Sequence, residues 1–245
     1  MRSILLGMLL SLVVILPAFA ADSGAELNLE NDQVFVIQGG KSTALDQDMF
    51  PAQPIDETDL RFLGIGLEDA KEHGVAPGLY IFKSKGKPFA FVPTDEADFC
   101  SDVKLSPNGK ILAMDSGMSL VRNWFFYSFP EMKTIGNTVY YQTPDNPAII
   151  WVKDTGVLVS TMNEDSHGRT CEYDPCGSVS VAYYDFATNK ASTLLVGTEL
   201  CDYTLTGLDD DGQSAIAAEL CLPSIDAWKT FPEEQPVKEV KVKLP

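Results

Sequence analysis

Val103-Lys104-Leu105-Ser106-Pro107-Asn108-Gly109-Lys110-Ile111-Leu112-Ala113-Met114 reads as a strand, a tight turn and a second strand. Pro107 fixes φ near the value that the first inner turn position requires, and Asn108 and Gly109 tolerate the left-handed conformation that ends such a turn. Val103, Leu105 and the run Ile111 to Met114 give the flanking strands at least one buried face. The pattern recurs. Leu79 to Phe82, the turn Lys83 to Gly86 and Lys87 to Val92 form one copy. Ile149 to Val152, Lys153 to Gly156 and Val157 to Thr161 form another. Tyr203 to Leu208, Asp209 to Gly212 and Gln213 to Leu220 form a third.

Between these hairpins lie others: Asn123 to Phe129 with Thr134 to Tyr141, Ser178 to Phe186 with Ala191 to Val196, and Ser224 to Phe231 with Val237 to Leu244. Each unit is then four short strands, legible over residues 101–141, 148–196 and 201–244. Gly109, Gly156 and Gly212 recur at a spacing of roughly 50 residues, the period of a propeller or a related array. The expected fold is all-β, a propeller-like array of four-stranded antiparallel sheets, with a two-sheet sandwich as the alternative. In such an array inner strands are buried on both faces, which accounts for apolar runs such as Ile111 to Met114.

The turn Leu105-Ser106-Pro107-Asn108-Gly109-Lys110-Ile111-Leu112-Ala113 resembles the repeat of bacterial WD40-like, TolB-type propellers, with Asn108 where that family has Asp. Asp185-Phe186-Ala187-Thr188-Asn189-Lys190 is similar to the outer hairpin of such blades. The resemblance spans residues 79–244 and implies a propeller and a role in binding partners. It does not reach residues 21–78.

There, residues 21–32 read as a loose lead-in, Gln33 to Gln38 as a strand, and Ala44 to Leu63 as loop interrupted by Pro51 and Pro54. Leu67 to His73 reads as a short helix stopped by Gly74. Gln33 to Gln38 is expected to close the ring by pairing with the C-terminal strand, since an array must hide its edges. Gly39-Gly40-Lys41-Ser42-Thr43 ends like a phosphate-binding loop, but the glycine that pattern needs at position 35 is Phe35.

At the N-terminus, Arg2, the apolar run Ile4 to Leu16 and Ala18-Phe19-Ala20 follow the order of a secretory signal peptide. The expected organisation is a signal peptide over 1–20, cleaved after Ala20, and a single domain over 21–245, periplasmic or secreted and without a membrane span. The net charge of −17 becomes −18 once Arg2 is removed. That argues against nucleic acid or anionic lipid as a partner and fits a cation or a basic protein surface.

Export makes disulfides the default for the five cysteines. With Asp209 opposite Gln213, the register sum of the last hairpin places Cys201 opposite Cys221. The short separation makes Cys171 and Cys176 the natural second pair and leaves Cys100 free. Pairing of Cys100 with Cys171 or Cys176 remains the competing connectivity.

Chemical signatures are sparse. There are two histidines, His73 and His167, and no Gly-x-Ser-x-Gly elbow. Trp124 to Tyr127 read as core strand rather than a ligand-stacking wall. The long acidic loop Asn163 to Asp174 places Asn163, Asp165, Gly168 and Asp174 at positions 1, 3, 6 and 12 of a calcium loop, with His167 at position 5 and no terminal Glu. A solvated, disulfide-stapled loop is the simpler reading, and no cofactor other than calcium suggests itself. The favoured function is an exported non-catalytic binding or scaffold protein for an unknown protein or small ligand. The alternative is a secreted propeller-type hydrolase or lyase, with or without an assisting metal.

Overall fold

A computed structural model describes residues 25–142, 148–163, 177–229 and 237–245. Among the described residues eighteen strands form five antiparallel sheets, and in every sheet the spatial order is the chain order. The first sheet is β1 (Glu26–Glu30), β2 (Gln33–Gln38) and β3 (Lys41–Ala44). The second is β4 (Gln53–Pro54), β5 (Arg61–Ile65), β6 (Gly78–Phe82) and β7 (Ala90–Val92), with helix α1 (Leu67–His73) between β5 and β6. The third is β8 (Cys100–Leu105), β9 (Ile111–Ser116), β10 (Val121–Ser128) and β11 (Thr134–Tyr141). The fourth is β12 (Ile150–Val152), β13 (Gly156–Asn163), β14 (Ser178–Asp185) and β15 (Lys190–Leu195). The fifth is β16 (Cys201–Leu208), β17 (Ser214–Cys221) and β18 (Val237–Lys243). Five small up-and-down sheets, rather than two large ones, make the fold all-β and propeller-like and exclude the sandwich.

Sheets stack in chain order, one apolar cluster per junction. Leu27, Leu29, Val34 and Val36 of the first sheet meet Leu63, Ile65, Tyr80 and Phe82 of the second. Alternation along β9 explains the next two junctions: Leu112 and Met114 pack with Phe62 and Ile81 of the second sheet, while Ile111 and Ala113 pack with Val157 and Tyr184 of the fourth. Trp124 and Phe126 lie in the same junction as Tyr184, so the aromatic run is core. Val181 and Tyr183 then meet Leu205, Ala215 and Ala217 of the fifth sheet. Full burial of each Leu, Met or Phe contributes about 1.5–3 kcal/mol. Among the described residues, none of the four clusters draws on both the first and the fifth sheet.

Several expectations are corrected. Glu26–Glu30 is a strand rather than a lead-in, because Leu27 and Leu29 alternate toward the second sheet. Residues 53–65 supply β4 and β5: Pro54 is tolerated on a two-residue edge strand, and the buried Phe62 and Leu63 drive β5 into the sheet. Residues 79–92 are therefore the third and fourth strands of their sheet, not the counterpart of the 103–114 hairpin. Val36 lies opposite Leu27 and Thr43, and the C-terminal β18 pairs with β17, so the expected pairing of β2 with the C-terminus does not form. Ile225–Lys229 is a 3-10 helix rather than a strand, with Trp228 buried and its indole N–H donating to Glu199 O at 3.0 Å. Among the described residues the fifth sheet consequently has three strands.

Candidate functional site: the connection end

Alternating strands send successive links to opposite ends of the second to fifth sheets. One end carries the tight turns 83–89, 106–110, 129–133, 153–155, 186–189 and 209–213. The other carries the links 66–77, 93–99, 117–120 and 196–200, together with the described link residues 142, 148–149, 177 and 222–229. Hydrogen bonds tie neighbouring links together at this connection end. Ser116 Oγ donates to Glu96 O at 2.8 Å, and Gly117 N–H to Phe99 O at 3.3 Å. Gln142 N–H donates to Leu120 O at 2.8 Å, and Val179 N–H to Asp202 Oδ1 at 2.9 Å. At the opposite, hairpin end Phe129 N–H donates to Lys110 O at 2.7 Å.

Beneath the connection end of the third sheet sits a buried charge network. Asp115 Oδ1 accepts from Arg122 Nε and from Tyr140 Oη, both at 2.9 Å. Asp115 Oδ2 accepts from Arg122 Nη2 at 2.6 Å and from Ser101 Oγ. Arg122 Nη2 also donates to Ser101 Oγ at 2.7 Å. Burial, then the Asp115 charge, pushes the Tyr140 hydroxyl well above its ordinary range. With both carboxylate oxygens doubly bonded, the network holds β8, β9, β10 and β11 in one arrangement. Beside it, the free Cys100 thiol is pushed up to about 12, chiefly by burial and then by Asp115 and Asp102. Such a thiol is a poor nucleophile at neutral pH.

The exposed apolar residues are unevenly placed. Leu67, Phe99, Met118, Leu120, Val196 and Val237 stand in or beside the links of the connection end, and Val139 lies near the end of β11 that reaches it. Met49 adjoins Phe50, whose ring meets His73 of α1 at 5.3 Å. Among the described residues Phe89 alone of the exposed large apolar side chains stands at the hairpin end. Met118 is 79% exposed, in a link with no charged residue. The described links of this end also carry Glu68, Asp69, Glu72, Asp95, Glu96, Asp98, Glu199 and Asp226, against two basic residues, Lys71 and Lys229.

Of the residues singled out from sequence, Cys201 lies opposite Cys221 at this end, and the two are joined in a disulfide. Asn163 ends β13, also at the connection end, but its side chain lies outside the described residues. So do Asp165, Asp174, Cys171 and Cys176. Among the described residues no group of three or more His, Cys, Asp or Glu could hold a metal ion, and no helix is long and apolar enough to cross a membrane. The charge network and the exposed links were missed. Gly117-Met118-Ser119-Leu120 carried the available signal, with two large apolar residues where a link is expected to be polar.

No known protein family matches the chain, and no curated protein matches it. Among solved structures, hydrazine synthase of Kuenenia stuttgartiensis is similar at 12% identity and a TM-score of 0.40, over 78% of this chain and 58% of that one. The β-propeller domain of the Trilobed protease from Pyrococcus furiosus is similar at 9% identity and a TM-score of 0.41, over 88% of this chain and 64% of that one. TolB from Acinetobacter baumannii is similar at 11% identity and a TM-score of 0.35, over 90% of this chain and 51% of that one. The chain thus spans between about half and two thirds of the length of these neighbours.

Proposed function

We propose that the protein is an exported, non-catalytic binding or scaffold protein that takes a basic, apolar-bearing protein surface on its connection end. The carrying observation is the gathering of exposed apolar side chains on that one end, in links that are rich in carboxylates. Contiguous exposed apolar surface rimmed by polar residues is a feature of docking sites. A chain of net charge −17 attracts a cationic partner over a distance and repels an anionic one. Loops held on a rigid sheet scaffold can vary in sequence without loss of the fold, which suits them to recognition. Export is supported by the N-terminal apolar run ending in Ala18-Phe19-Ala20 and by the Cys201–Cys221 disulfide.

Calorimetric titration with a synthetic amphipathic Lys/Leu peptide tests the reading. Saturable binding is expected, about tenfold weaker for Met118→Asp/Leu120→Asp, with the variant's melting temperature unchanged. Absence of saturable binding, or binding indifferent to that variant, contradicts it.

A further inference from the structure

The hairpin end carries a patch of the opposite character. Lys83 and Lys85 project from the β6–β7 turn, Lys110 from the β8–β9 turn and Lys133 from the β10–β11 turn. Two rings knit these turns together: Lys83 Nζ lies 4.8 Å from the centroid of the Phe89 ring, and Phe89 meets Phe129 edge-on at 5.8 Å. Phe129 N–H in turn donates to Lys110 O. Some lysines do find carboxylates, Lys87 of the same turn with Glu26 and Lys104 with Asp102. Among the described residues none of Lys83, Lys85, Lys110 and Lys133 has a carboxylate within ion-pair distance. In a chain with 35 acidic and 18 basic residues, these three turns carry five lysines, Lys87 included, against one acid, Glu131, a local reversal of sign, although the 55–60 link at the same end carries Asp56, Glu57 and Asp59.

We propose that this lysine and phenylalanine patch docks on the connection end of a second copy, head to tail. The inference rests on the reading of the connection end as a docking face, and it names one occupant for it. The two surfaces are complementary in charge, and the exposed Phe89 offers an aromatic face to a site that presents Met118, a pairing that sulfur and aromatic groups favour. Because the two patches differ, the contact is heterologous and generates rings or open chains rather than a closed pair. Net charge opposes it at long range. That repulsion reaches about 30 Å at 0.01 M salt but about 8 Å at 0.15 M, while at 1 M the contact charges are screened as well. Association is therefore strongest at intermediate salt.

Sedimentation velocity of the purified chain over a concentration series at about 0.01, 0.15 and 1 M salt tests this. Concentration-dependent association peaking near 0.15 M is expected, and about tenfold weaker association for Lys83→Glu/Lys85→Glu/Lys133→Glu, whose fold is checked by near-ultraviolet circular dichroism. A monomer under all conditions, or self-association untouched by the lysine changes, overturns the proposal. If the monomer still binds the Lys/Leu peptide, the connection end keeps its docking role and only this occupant is removed.

Discussion

Asp115 is 2% exposed and Arg122 8%, so each depends on the other for its charge. Removing one partner of such a pair leaves an unpaired buried ion, at a cost of about 3–5 kcal/mol, whereas replacing the whole set by apolar groups is often neutral. Asp115→Ala is therefore expected to lose that amount in urea unfolding, and Asp115→Leu/Arg122→Met/Tyr140→Phe to lose less. A single variant no worse than the triple would show that the network is not a unit. Cys100 gives a pH signature. Its thiol rises from an ordinary 9.0 to about 12 in the folded chain, so the folded state holds its proton longer than the unfolded state. The resulting stability is fully present below about pH 9 and is lost as pH rises toward 12. Cys100→Ala should make that limb shallower, as read by melting temperature against pH, the remainder being carried by Tyr80 and Tyr127, whose hydroxyls burial also pushes up to about 12. Opening the Cys201–Cys221 bond, which closes a sequence separation of 20, should cost about 3 kcal/mol.

At the scale of the element, the repeat has an atomic basis. Ser106 Oγ accepts from Lys110 N–H at 3.2 Å and Ile111 N–H at 2.9 Å, and Asn108 Oδ1 accepts from Lys110 N–H at 3.0 Å. In the fifth sheet Asp209 Oδ1 accepts from Gln213 and Ser214 N–H, both at 2.9 Å, and Asp211 Oδ1 accepts from Gln213 N–H at 2.8 Å. Gly109 and Gly212 share φ values of 69° and 68°. Ser-Pro-Asn-Gly and Asp-Asp-Asp-Gly are thus one turn written in two spellings. Ser106→Ala removes the acceptor for the buried Ile111 N–H and should cost about 1–3 kcal/mol by chemical denaturation.

The turns were legible because turn chemistry is local; register was legible only in part. Asp209 N–H pairs with Ser214 O rather than lying opposite Gln213, a shift of one residue. A bulge between Leu205 and Gly207 takes up that residue and returns Cys201 to a position opposite Cys221. Nothing in the local sequence announces the bulge. Residues 53–65 were illegible for a related reason: prolines argue against a strand locally, and only the neighbouring β6 supplies the burial that overrides them.

Over the whole molecule, a hairpin sequence specifies its turn, but which end of the array a link occupies follows from topology. The concentration of Leu67, Phe99, Met118, Leu120 and Val196 on one end could not be seen in a chain where they lie scattered over 130 residues. The acidic charge was countable from the start, yet the grouping of Lys83, Lys85, Lys110 and Lys133 on one end emerges only once the strands alternate. Amide chemical-shift mapping during titration with the Lys/Leu peptide tests the central claim, that recognition belongs to the connection end. The account predicts perturbations confined to residues 66–77, 93–99, 117–120 and 196–200, with the turns 106–110, 186–189 and 209–213 silent. Perturbations centred on those turns, or spread evenly over both ends, would contradict it.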